Sequence, residues 1–150
     1  MAGGADHRRM ALSAAVLHGS GGAMVVATAA LQDHTSVAIP IAGAVALAAA
    51  VVLTFLRRHL PMAAFHLAPD LGTLLIGVLL TADRGPNYVG YGSLYTFVAV
   101  YVCYWFPGRA ATAHLALMVG TCGLALLYRD GGVADLTSFV MYSGGAIVSG

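Results

Sequence analysis

Four ionisable side chains stand inside long apolar stretches: His18, His66, Asp70 and His114. Ionisable groups in such surroundings are costly and need an explanation. His66 and Asp70 flank Pro69 at a spacing of four, so a helix carries both on one face, where the carboxylate can accept from an imidazole N–H. Imidazole also ligates zinc, copper and haem iron, so His18, His66 and His114, with Asp70 behind them, form a candidate metal, haem or proton-sensing group. The plainer reading gives each histidine a neighbouring backbone or side-chain partner. No resident cofactor is expected on that reading, and the three histidines are the residues that would serve one.

Other chemistries are set aside by what is missing. The sequence contains no G-x-x-x-x-G-K-[ST], G-x-G-x-x-G, H-E-x-x-H or G-x-S-x-G. Gly19-Ser20-Gly21-Gly22 is glycine-rich, but it interrupts an apolar run instead of joining a strand to a helix. Cys103 and Cys122 lie in apolar runs without a CxxC pattern and read as small packing residues. Asp135, at the mouth of a later run, reads as a helix-start residue. No catalytic residue is expected in this chain, and no enzymatic activity.

The elements that must position these groups follow from composition. Hydrophobic residues make up 59% and charged residues 9%, against roughly 45–50% and about 25% in soluble domains. Such a chain suits lipid. It has no Lys and no Glu, and its net charge of +1 gives no reason to expect nucleic acid. A transmembrane helix needs about 20 mainly apolar residues, which predicts helices over 10–31, 36–56, 62–82, 88–106 and 110–128. A sixth is expected over 133–150, cut short by the end of the chain. The expected fold is all-α, an integral membrane bundle of six antiparallel helices (five complete), with residues 1–9 as a cytoplasmic segment and 10–150 as a single transmembrane domain.

Arginine sets the expected orientation. With the amino terminus inside, Arg8, Arg9, Arg57, Arg58 and Arg109 face the cytoplasm, and Arg84 and Arg129 face outward, each beside an aspartate. That favours an inner (plasma) membrane protein with a cytoplasmic N-terminus. The five inner arginines are its topology anchors. In this orientation His18, His66 and His114 fall at similar depth in the inner half of the bilayer. Arg57-Arg58 alone is too short for the 4–8-residue basic cluster that marks lipid recognition. Tyr88, Tyr91, Tyr104 and Trp105 mark the two ends of the fourth run, while Tyr95 and Tyr101 nearer its centre need hydroxyl partners inside the bundle.

His66-Leu67-Ala68-Pro69-Asp70-Leu71-Gly72-Thr73-Leu74-Leu75-Ile76 is followed by a tyrosine-rich segment, Tyr91 to Phe106, and a turn at Pro107-Gly108-Arg109. This pattern resembles the multi-helix membrane regions that precede GGDEF diguanylate cyclase domains in actinobacterial signalling proteins. The resemblance implies a sensing, anchoring and dimerising role upstream of cyclic-di-GMP synthesis, with the lipid bilayer and a second copy as partners and an unidentified small ligand. It carries over no catalytic residue, because the GGDEF signature itself is absent. It also implies a chain continuing past Gly150 into a cytoplasmic output domain. The rival expectations are a small oligomeric transporter or channel, with His66 and Asp70 in an ion path, and a haem- or metal-binding membrane subunit.

Reporter fusions test the orientation. Fusions after Arg58 and Arg109 are expected to behave as cytoplasmic, and fusions after Asp33 and Gly85 as external; the reverse pattern removes the common depth assigned to the histidines.

Overall fold

A computed structural model of the chain describes residues 3–32, 35–83 and 88–128. Among these the protein is all-helical, with α1 Gly3–Ala30, α2 Ala38–Leu56, α3 Met62–Ala82, α4 Tyr88–Trp105 and α5 Gly108–Tyr128. The sixth expected helix and Asp135 lie outside the described residues, as do Arg84 and Arg129. α1, α2, α3 and α5 are each long and apolar enough to cross a membrane. α4 falls short of that standard. Its 18 residues include five tyrosines, whose hydroxyls lower its apolar character although the helix itself forms.

The boundaries follow local chemistry. α1 starts at Gly3, seven residues before the apolar run expected at Met10, and so takes in Arg8 and Arg9. A polar turn continues a helix readily once an apolar segment has nucleated it, because each added residue gains one backbone bond. α2 starts just after Ser36, whose hydroxyl oxygen accepts a weak 3.4 Å bond from the Ala38 amide. It ends in a tight turn in which the His59 amide donates to the Leu56 carbonyl at 2.8 Å. α5 begins directly after Pro107, whose carbonyl accepts from the Ala111 amide at 3.0 Å. Pro69 lies within α3 without ending it. Proline has no N–H, so the Phe65 carbonyl loses its usual helical donor there.

The chain forms two compact units, residues 1–72 and 73–150, with the division inside α3. In the first, α1 packs on α2. The inward stripe of α1 runs through Ala11, Ala14, His18, Gly22, Val25 and Ala29 at intervals of three and four, as a helix face requires. Its contact with α2 is a backbone approach. A Cβ on Gly22 would stand 2.8 Å from the Gly43 carbonyl oxygen, and one on Gly43 would meet Val26 and Val25 at 2.8 and 3.1 Å. Gly19 faces Ala50 one turn away, at ordinary contact distance. These pairs make the two helices antiparallel. In the second unit α4 packs on α5, with Tyr91, Tyr95, Val98, Ala99 and Val102 on the buried face of α4. Gly77 lets α3 come close to α5, since a Cβ there would stand 2.6 Å from Thr121 Cγ2.

The outward surface is apolar. Leu12, Val16, Ile41, Val45, Val52, Phe55, Phe97, Leu124 and Leu127 are all exposed. Hydroxyls on that surface turn back onto their own helices, Ser13 to Arg9, Ser20 to Val16, Thr28 to Met24, Thr54 to Ala50 and Thr121 to Leu117, at 2.8 to 2.9 Å. Each such bond satisfies the hydroxyl without water.

The crossing yields a paired prediction. Gly22→Ala places a methyl against a carbonyl that belongs to helix backbone and cannot rotate away, so it should destabilise the protein by about 1–3 kcal/mol in detergent unfolding. Gly21→Ala meets open space and should be neutral or stabilise by up to about 1 kcal/mol through helix propensity. Equal effects at the two sites would contradict the close approach.

Candidate functional site

The inward stripe of α1 buries His18, 4% exposed, one turn from the Gly22 crossing. Its Nδ1 lies 2.9 Å from the Ala14 carbonyl. A carbonyl only accepts, so Nδ1 carries a hydrogen and donates. Nε2 is buried and has no hydrogen-bond partner among the described residues. The backbone bond expected of a lone histidine in an apolar run is thus present at one ring nitrogen and not at the other.

His66 and Asp70 sit one turn apart on α3, both half-buried. Both are engaged in contacts, so neither is a free charge. Phe65, beside His66, is fully buried, and its ring stacks on His7 with centroids 5.7 Å apart and planes within 4°. That stack joins the start of α3 to the start of α1. His114, 9% exposed, lies on the buried face of α5, its ring 5.0 Å from that of Phe106, which in turn meets Tyr101 edge-on at 6.1 Å. Among the described residues no three His, Cys, Asp or Glu side chains gather into a group that could hold a metal ion.

The second unit holds the polar groups that sequence reading placed less well. The Tyr95 hydroxyl donates to the Thr73 carbonyl at 3.4 Å, which supplies the partner expected for a mid-helix tyrosine. The Cys122 thiol, buried and unoxidised, lies within electrostatic reach of that hydroxyl. Tyr91, expected at the interface as an end-of-helix ring, is instead 2% exposed, and its hydroxyl has no hydrogen-bond partner among the described residues. Asp83, expected in an outer connector, is 5% exposed and lies within electrostatic reach of Tyr91. The four-residue spacing of Tyr91 and Tyr95 puts both on one helix face. That spacing was the available signal, and the position of Tyr91 near the helix start masked it. At the other end of α4, Tyr104 is exposed and meets Trp105 edge-on at 4.8 Å. Arg8, Arg9, Arg57, Arg58 and Arg109 are all exposed.

The first unit offers a buried imidazole nitrogen, and the second a buried phenol within electrostatic reach of a carboxylate. No family model, curated protein or solved structure matches the chain. What the fold defines is a class: among the described residues the chain is all-helical, with four helices long and apolar enough to cross a membrane.

A double-mutant cycle tests whether His66 and Asp70 act as a pair. A buried carboxylate deprived of its partner costs more than the loss of both, so Asp70→Asn should recover about 1 kcal/mol or more of the stability lost in His66→Ala. Additive losses would show that each residue is held by other groups.

Proposed function

We propose that this chain is a membrane-embedded sensory and anchoring module of a signalling protein, seated in the plasma membrane with its amino terminus in the cytoplasm. Its outward face of Leu, Val, Ile and Phe suits lipid, and back-bonded hydroxyls suit a solvent without donors or acceptors. The observation that carries the sensory part is that two of the four buried polar atoms without a hydrogen-bond partner among the described residues, His18 Nε2 and the Tyr91 hydroxyl, lie on the buried faces of helices. A buried polar atom without a partner costs about 1–3 kcal/mol. A small molecule that pairs with the imidazole or the phenol recovers that cost, and so shifts the helices toward whichever arrangement binds it. The resemblance to membrane regions preceding GGDEF domains supplies the output: a cytoplasmic cyclase whose pairing in a dimer depends on helix positions. The chain itself acts as receiver and anchor, not as an enzyme.

The test joins this chain to a GGDEF domain and follows cyclic-di-GMP in cells. His18→Leu, which keeps the side chain's bulk and removes the ring nitrogens, should change output by about threefold or more while membrane insertion stays constant. Unchanged output with His18→Leu and with Tyr91→Phe would leave anchoring as the only role. Proton flux by the purified chain in liposomes, lost in Asp70→Asn, would instead favour the transporter reading. A haem absorbance band or stoichiometric metal in the purified protein would favour the cofactor-bearing one.

A further inference from the structure

The two arginine pairs are 48 residues apart in sequence, yet the first unit brings them to one end. Gly22 faces Gly43, and Gly19 faces Ala50. From Gly19 back to Arg9 is about 15 Å of helix, and from Ala50 forward to Arg57 is about 10 Å, at a rise of about 1.5 Å per residue. Arg8 and Arg9 therefore reach nearly the same level as Arg57 and Arg58 on the neighbouring helix. The His7–Phe65 stack at 5.7 Å fixes the same juxtaposition independently, from the α3 side. His7, Arg8, Arg9, Arg57, Arg58 and His59 are all exposed there, with Asp6 as the one carboxylate of the α1 first turn. Neither pair reaches the size of a lipid-reading cluster alone, but the four together do.

We propose that Arg8, Arg9, Arg57 and Arg58 form one composite site for the phosphate headgroups of anionic lipids. This rests on the membrane reading above, which sets the ends of α1 and α2 at headgroup level. Guanidinium groups bind phosphate oxygens in pairs through parallel N–H donors, and the two helices present such donors from both sides of a headgroup. The histidines at the edge add ring N–H donors. Below the patch the outward faces of α1 and α2 carry Leu12, Val16, Val52 and Phe55, which suit the acyl chains of the same lipid. A headgroup bridging the two segments would tie the start of α1 to the α2–α3 turn, so lipid composition would act on the register of the hairpin.

The test uses the full chain reconstituted in liposomes of phosphatidylcholine with a minority of phosphatidylglycerol, and spin-labelled lipids report the relative association of the two classes. Wild type should prefer phosphatidylglycerol, and the preference should fall as sodium chloride screens it. Arg8→Gln/Arg9→Gln and Arg57→Gln/Arg58→Gln should each lower that preference by about threefold or more. Because the pairs share a headgroup, the quadruple variant should lose little beyond either double. The single variants Arg9→Gln and Arg58→Gln retain a neighbouring arginine on each segment and serve if a double variant fails to insert. Flotation and alkaline extraction of the same samples separate the two levels of failure. Wild-type protein that does not insert overturns the membrane reading and the proposal with it, whereas inserted protein without a lipid preference overturns only the patch. Independent, additive losses from the two pairs, or displacement by inorganic phosphate where chloride of equal ionic strength has no effect, would also overturn the composite lipid site.

Discussion

The backbone approach between Gly22 of α1 and Gly43 of α2 sets the register of the first unit. With a carbonyl oxygen only 2.8 Å from where a Cβ would stand, the helices meet at one register and cannot slide by a turn without driving side chains into backbone. From that register follow the burial of His18 one turn away and the similar level of Arg8 and Arg9 with Arg57 and Arg58 along the paired helices. Small residues permit such closeness where apolar side chains gain little from leaving lipid for protein. Gly77 plays the same part for α3 against Thr121 in the second unit.

A second constraint is the supply of hydrogen-bond partners. With so few charged residues and such an apolar exterior, each polar atom must be satisfied by its own helix or by a neighbour. Ser and Thr hydroxyls turn back to carbonyls four residues earlier, His18 does the same through Nδ1, and Tyr95 reaches across to the Thr73 carbonyl. Against that background the unused atoms stand out. His18 Nε2 and the Tyr91 hydroxyl are buried without a hydrogen-bond partner among the described residues.

Helices were legible in the sequence because apolar length and breakers mark them directly. α3 matches its expected span at both ends, and α5 departs by two residues because Pro107-Gly108 allows an earlier start. The early start of α1 was hidden by Arg8-Arg9, which look like a cytoplasmic tail but continue the helix. Composition overstated α4, since its apolar run is diluted by tyrosines that only packing shows to be partly buried. The glycines were harder still. Ala and Gly are so abundant that spacing alone does not single out Gly22 and Gly43, the residues that the crossing uses. The arginine pairs read separately as topology anchors because their meeting depends on that crossing. His18 and His114 were expected to need partners inside the protein, and both are buried; the environments of Asp83 and Tyr91 could not be read from their positions near helix ends.

The account depends on α2 standing in lipid with one face against α1. Nitroxide scanning of the reconstituted chain measures both properties at once, because oxygen partitions into the bilayer and polar nickel complexes remain in water. Ile41, Val45 and Val52 are exposed, while Ala42 and Leu53 are buried. Labels at the first three should be open to oxygen and closed to nickel, and labels at the last two should be shielded from both. Nickel reaching positions 45 and 52 as freely as an aqueous loop, or oxygen accessibility without helical alternation, would contradict a lipid-facing helix packed through Gly43.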